Sequence, residues 1–175
     1  MRPRRPRFFT TDSAAAERLR RMYAGGHADS GARAYARFWN RVMRLGLLPR
    51  RWVVLEVRGR RSGRLVRVPL GMARYDARWY LVSMLGECHW TRNVRAADGR
   101  AALLRVRRHP VQLTEVPVPE RGPIIREYLQ RVPGARPHMR VALDAPLEEF
   151  QALAPTHPVF AVAPREEQGA RRRAR

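Results

Sequence analysis

The chain has no lysine, a single cysteine and no long apolar run, and each shortage removes a class of protein. One thiol, Cys88, permits neither a disulfide framework nor a cysteine-based zinc site. No stretch approaches the ~20 apolar residues of a membrane-spanning helix. The start, Arg2-Pro3-Arg4-Arg5, hints at a twin-arginine signal, but the apolar segment of about 7–15 residues that should follow is missing. A cytoplasmic protein is expected. There is also no HExxH, no paired carboxylates and no Gly-x-Ser-x-Gly elbow. The histidines His27, His89, His109, His138 and His157 lack metal-ligand spacing, so no metal is expected. Cys88 beside His89 suggests an activated thiol, yet no third partner is in view.

Without lysine, all 36 basic residues are arginine and the formal charge is +21. A general arginine bias accounts for part of that excess, which weakens it as a nucleic-acid signature. The distribution is uneven: residues 1–51 hold 13 arginines against 3 acids, residues 116–175 hold 10 against 7. Something anionic is expected to meet the front half.

The 175 residues, 45% of them apolar, suffice for one domain with a core that needs no staples. Residues 1–31 read as a basic, partly disordered extension with a short helix from Asp12 or Ser13 to about Tyr23. Residues 32–164 read as the folded domain, and residues 165–175 as a disordered charged tail. Within the domain, Ala32–Leu45 sets Arg33, Arg37, Arg41 and Arg44 on one helical face and Tyr35, Phe38, Trp39, Val42 and Met43 on the other. That pattern suits a surface helix packed on the domain, and its arginine face also suits an anionic membrane.

The organising stretch is Trp52 to Leu70. An apolar run, Val53-Val54-Leu55-Glu56-Val57, reads as a buried strand. Gly59-Arg60-Arg61-Ser62-Gly63-Arg64 follows as a tight basic loop, and Val66, Val68, Leu70 and Met72 alternate along a second strand. Arginines and a hydroxyl around exposed amides suit phosphate or carboxylate, although a merely basic hairpin turn would look the same. Further strands are expected at Trp79–Met84, Ala101–Arg107, Val111–Val116 and His157–Val162, with His109-Pro110 as a turn. Helices are expected at His89–Ala97, after Pro123 and after Pro146. Six strands in an antiparallel meander with interposed helices suggest a small α+β barrel. Trp90 and Asn93 share a helix face: either a ring stacks on the indole with the amide at its edge, or they are a core tryptophan and a capping asparagine.

Gly59-Arg60-Arg61-Ser62-Gly63-Arg64-Leu65-Val66-Arg67-Val68-Pro69-Leu70, then Tyr80-Leu81-Val82-Ser83-Met84-Leu85-Gly86, then Trp90-Thr91-Arg92-Asn93-Val94-Arg95-Ala96 together resemble the deazaflavin (coenzyme F420)-dependent nitroreductase family. The resemblance runs from about Trp52 to Ala163. It implies an α+β split β-barrel, FMN-binding-like, of about six mainly antiparallel strands with flanking helices. It also implies hydride transfer between reduced coenzyme F420 and a small organic acceptor: a quinone, enone or nitro compound. The family's basic loop takes the cofactor phosphate and oligoglutamate tail, which implicates Arg60, Arg61, Ser62, Gly63 and Arg64. The ring-lining segments implicate Arg67, Pro69, Ser83, Met84, Leu85 and Gly86, and the helix implicates Trp90 and Asn93. Two departures stand out. The Gly86–His89 link looks about a residue short, and Val132–Arg140 lacks the tyrosines of the nitro-reducing members. The second departure puts nitro-drug reduction in doubt. FMN is the alternative cofactor, a homodimer stays open, and an arginine-rich nucleic-acid binder is the remaining non-enzyme reading. Against that last reading, the aromatics lie on apolar stripes and not among the arginines.

The arginine stripe of Ala32–Leu45 generates a first test. At ~1 kcal/mol per arginine near an anionic surface, four give on the order of 4 kcal/mol before ordering costs. The parent should co-sediment with anionic but not neutral vesicles, in a salt-sensitive way. A variant with Arg33, Arg37, Arg41 and Arg44 changed to Gln should stay in solution. Equal sedimentation of the two proteins would leave the helix a structural cover.

Overall fold

The computed structural model describes residues 49–166. The predicted N-terminal helices, the boundary at residue 31 and the tail beyond residue 166 lie outside the described residues. Six strands form a closed barrel: β1 Trp52–Arg58, β2 Leu65–Tyr75, β3 Arg78–Val82, β4 Arg100–Leu104, β5 Arg108–Glu115 and β6 Val159–Pro164. Three helices accompany them: α1 His89–Ala96, α2 Arg121–Arg131 and α3 Leu147–Leu153. No helix among the described residues is long and apolar enough to cross a membrane.

Strand order around the barrel is β1-β2-β3-β6-β5-β4, and every neighbouring pair is antiparallel. The simple meander is therefore corrected. β6 inserts between β3 and β5, while β4 closes the barrel against β1 through Val54↔Leu104 and Val57↔Ala101. The fourth turn also moves. Arg105–Arg107 make it, with the Arg105 N–H donating to the Arg107 carbonyl at 3.1 Å, and His109-Pro110 fall inside β5. Pro110 lacks a donor but still accepts, taking the Arg165 N–H at 3.0 Å, so it can sit in the strand without breaking the pairing with Ala102. The predicted turn after β2 is a two-residue link, with Asp76 at φ 45° and Ala77 at φ 59°.

Alternation decides the core. Val53, Leu55 and Val57 point into the barrel with Leu81, Leu103, Val111, Leu113 and Phe160. Helix α1 adds Trp90 and Val94 to this interior, and the Trp90 ring lies 5.5 Å from that of Phe160. A second cluster lies outside the barrel wall. There Ile125, Tyr128 and Leu129 of α2 and Phe150 of α3 cover Ala73, Tyr80, Val82 and Val159. Full burial of each such side chain is worth about 1.5–3 kcal/mol, so the two clusters supply most of the drive to fold. The buried α2–α3 layer leaves the opposite barrel face, and the loop after β1, to other work.

Candidate functional site

The loop between β1 and β2 is shaped by its own backbone. The Gly59 N–H donates to the Arg64 carbonyl and the Gly63 N–H to the Gly59 carbonyl, both at 2.8 Å. Gly63 sits at φ +66°, a conformation that L side chains rarely adopt. A Cβ on Gly59 would press to 3.1 Å from Ser62 Oγ and 3.2 Å from the Arg64 carbonyl oxygen. Gly63 is thus favoured by its backbone conformation, and Gly59 by the tight space beside Ser62 and Arg64.

The arginines divide into two sets. Arg58 donates from Nη1 to the Gly63 carbonyl at 2.8 Å. Arg60 donates to Asn93 Oδ1 twice, from its backbone N–H at 3.2 Å and from Nη1 at 3.0 Å. The Arg58 bond closes the loop on itself, and the two Arg60 bonds pin it to α1. Arg61 and Arg64 are exposed, and their guanidinium groups have no hydrogen-bond or ion-pair partner among the described residues. Ser62 Oγ accepts the Arg64 N–H at 3.3 Å and keeps its own proton to give. Two unspent guanidinium forks and a hydroxyl on a rigid turn form a donor set that fits phosphate or carboxylate.

The Ser83–Gly86 segment follows β3 and leads into α1. Ser83 is 1% exposed; its hydroxyl donates to the Gly86 carbonyl at 2.6 Å and lies 3.3 Å from Cys88 Sγ. The serine therefore shapes a tight turn, which Gly86 completes at φ +69°. Met84 and Leu85 are half-buried on that turn. Trp90, at 7% exposure, is packed into the barrel interior, and Asn93 spends its amide oxygen on Arg60. Of the two, Asn93 touches the loop, and Trp90 packs against Phe160 in the core. On β2, Arg67 and Pro69 lie in register with Glu56 and Val54 of β1.

Sequence reasoning missed the acidic partners. Glu56 is 3% exposed, with Arg67 Nη2 at 2.8 Å and Arg108 Nε at 3.1 Å. Burial opposes its ionisation, but the hydrogen bonds and charges of the two arginines prevail and hold the carboxyl below its ordinary range. The one available signal was an acid standing alone inside an apolar strand. A second network joins the segment before α1 to α2. Arg121, itself buried, gives Nη2 to Glu115 at 3.0 Å, Nε to the Val116 carbonyl at 2.8 Å and Nη1 to the Ala154 carbonyl at 2.9 Å. Arg95 bridges Glu115 at 2.6 Å and Glu87 at 2.7 Å. Its hydrogen bonds hold the Glu115 carboxyl below the ordinary range; at Glu87 burial pulls the other way and is outweighed by Arg95 and Thr91.

Two clefts beside α2, of about 270 and 340 Å³, contain none of the predicted site residues. Among the described residues no group of three His, Cys, Asp or Glu side chains could hold a metal ion.

The described residues form a closed antiparallel barrel with a glycine-framed cationic loop at the end of one strand. Residues 30–142 match the profile of the F420H(2)-dependent quinone reductases, and the chain belongs to that family. It is an F420-dependent oxidoreductase, with coenzyme F420 as its cofactor. No curated protein matches the sequence. Among solved structures, an F420-H2-dependent reductase is 20% identical, with a TM-score of 0.47 over 66% of this chain and 96% of its own. A conserved hypothetical protein from Mycobacterium tuberculosis is 15% identical, with a TM-score of 0.48 over 82% of this chain and 84% of its own. Likenesses of this degree assign no activity.

The carboxylates generate a test. Glu56, Glu87 and Glu115 have folded-state pKa values below the 4.5 of the free side chain, so their contribution is fully present above that value. It is lost as pH falls through the lowered folded values. The thermal midpoint should therefore hold from neutrality to about pH 5 and fall at more acidic pH. A midpoint that rises on acidification would contradict the assignment.

Proposed function

We propose that the protein passes hydride from reduced coenzyme F420 to a small organic acceptor of the quinone, enone or nitro class, with the Gly59–Arg64 loop holding the cofactor's phosphate and tail. The observation that carries this reading is the division of labour in the loop. Arg58 and Arg60 are spent on its shape, while Arg61 and Arg64 are exposed and unspent. The family's name favours a quinone. When bound, the deazaflavin supplies a hydride from ring carbon, chemistry that asks for no thiolate and no acid–base dyad.

The chain's own part is to bind, orient and exclude water. Met84, Leu85 and Gly86 of the segment after β3 are read as lining the ring, with Met84 packed against the α2–α3 cluster, and Arg67 and Pro69 of β2 as lining it too. Ser83, Trp90 and Asn93 support these from within: Ser83 through its turn, Trp90 through the core, Asn93 through Arg60. Cys88 has no role in this scheme. We also read residues 32–164 as the cofactor-binding domain of a cytoplasmic protein, with peripheral membrane contact through Ala32–Leu45.

A charge-assisted contact to phosphate is worth ~1.5–3 kcal/mol, so Arg61→Ala should weaken F420 binding roughly ten- to a hundredfold. Deazaflavin fluorescence on titration reads this directly. Parent-like binding by both Arg61→Ala and Arg64→Ala would reduce the loop to a turn.

A further inference from the structure

At the end of the barrel from which β1 starts, a cleft of about 270 Å³ lies between the β2–β3 hairpin and α2. Its described lining is Arg51, Met72, Arg74, Trp79, Glu127 and Arg131. The walls are fixed. The Arg51 carbonyl accepts the Met72 N–H at 2.7 Å, which extends the β1–β2 ladder. Arg51 Nη1 donates to the carbonyl of Arg131, the last residue of α2, at 3.2 Å. Arg74 and Trp79 stand in register across the hairpin, and the Arg74 guanidinium lies over the indole, 6.0 Å from the ring centre. Contact with an aromatic face holds the cation in place and leaves its N–H donors unspent. Arg74 is exposed and makes no hydrogen bond or ion pair among the described residues. The hydrogen bond from Arg131 to Glu127, at 2.7 Å, uses Nε alone.

Three guanidinium groups against one carboxylate give the described lining a charge of +2. The carbonyl end of α2 offsets part of that, and Arg51 already meets its last carbonyl. A phosphate monoester carries about −1.5 to −2 at neutral pH and presents three acceptor oxygens, which matches both the charge and the unspent donors. The volume lies just under the ~300–1,000 Å³ of pockets for drug-sized ligands, so it suits a small molecule or a head group. We propose that this cleft is a second anion site, which takes a phosphate group through Arg74, Arg131 and Arg51. It stands apart from the loop. The loop leads into the start of β2 and the cleft lies at its end; the strand has 11 residues, which at ~3.3 Å each separate the two by roughly 33 Å. The inference therefore does not depend on what the loop binds. A free phosphate compound and an anionic lipid headgroup present the same chemistry, and the test separates these two sources.

The test follows the indole N–H signal of Trp79, assigned with Trp79→Phe, in nitrogen–proton correlation spectra of the whole chain titrated with inorganic phosphate. In the parent the signal should move saturably. Arg74→Gln and Arg131→Gln alter exposed side chains that the fold tolerates losing, and each should raise the dissociation constant about tenfold, the scale of one charge-assisted contact. Arg78→Gln removes an equal charge from the same hairpin outside the cleft and should leave the constant unchanged, as should Arg61→Ala in the loop. A Trp79 signal indifferent to phosphate overturns the proposal, and so does parent-like binding by both Arg74→Gln and Arg131→Gln. Weakening by Arg78→Gln or Arg61→Ala equal to that by Arg74→Gln also overturns it, because general charge would then explain the binding. Co-sedimentation with vesicles of phosphatidic acid, against phosphatidylcholine, assigns the source once the site stands. Less sedimentation of Arg74→Gln than of the parent on phosphatidic acid supports a lipid headgroup at the site, and equal sedimentation supports a free phosphate compound.

Discussion

Closure of the sheet through β1 is the constraint on which the rest depends. This strand is hydrogen-bonded along one edge to β2 and along the other to β4, so it has no free edge. Both of its faces are committed as well. The inward face carries Val53, Leu55 and Val57 into the core, and the outward face carries Glu56 to its two arginines. A strand held on all four sides gives the loop that leaves it a fixed origin. Asn93 then fixes the far side of that loop by accepting twice from Arg60. Rigid placement matters because a cationic turn that must be ordered on binding would lose part of its affinity to that ordering.

The arginine excess looks different once its partners are known. Arg60, Arg67, Arg95, Arg108 and Arg121 are all engaged within the fold, on an amide, on carboxylates or on backbone carbonyls. Arg121 is nearly enclosed and satisfies three acceptors at once, a task for which a planar five-donor fork suits better than an ammonium. Arginine here serves as a cross-link between strands and helices. Among the described residues, the loop arginines Arg61 and Arg64 keep guanidinium groups with no such engagement.

Local patterns made much of this visible in the sequence. The β1 run, the glycine-framed loop, the β2 alternation and helix α1 each depend on neighbours within a few residues, and each lies close to where its pattern put it. The insertion of β6 between β3 and β5 was not legible, because strand order is decided by packing between segments far apart in the chain. The turn at Arg105–Arg107 was misplaced for a related reason: His109-Pro110 carries the usual turn signal, but Pro110 satisfies its strand by accepting alone. Glu56 and Arg108 are 52 residues apart, and no spacing rule connects them. Asn93 was legible as a residue near the site, but its partner, Arg60, became evident only once α1 and the loop were seen side by side.

The central claim is that the loop and the barrel face beside it recognise a deazaflavin with an anionic tail. Parallel titration of the purified protein with F420 and FMN, each across a range of salt concentrations, tests it most directly. The account predicts saturable F420 binding that weakens as salt screens the guanidinium groups, with FMN the weaker ligand throughout. Tighter binding of FMN, or an F420 affinity indifferent to salt, would contradict it.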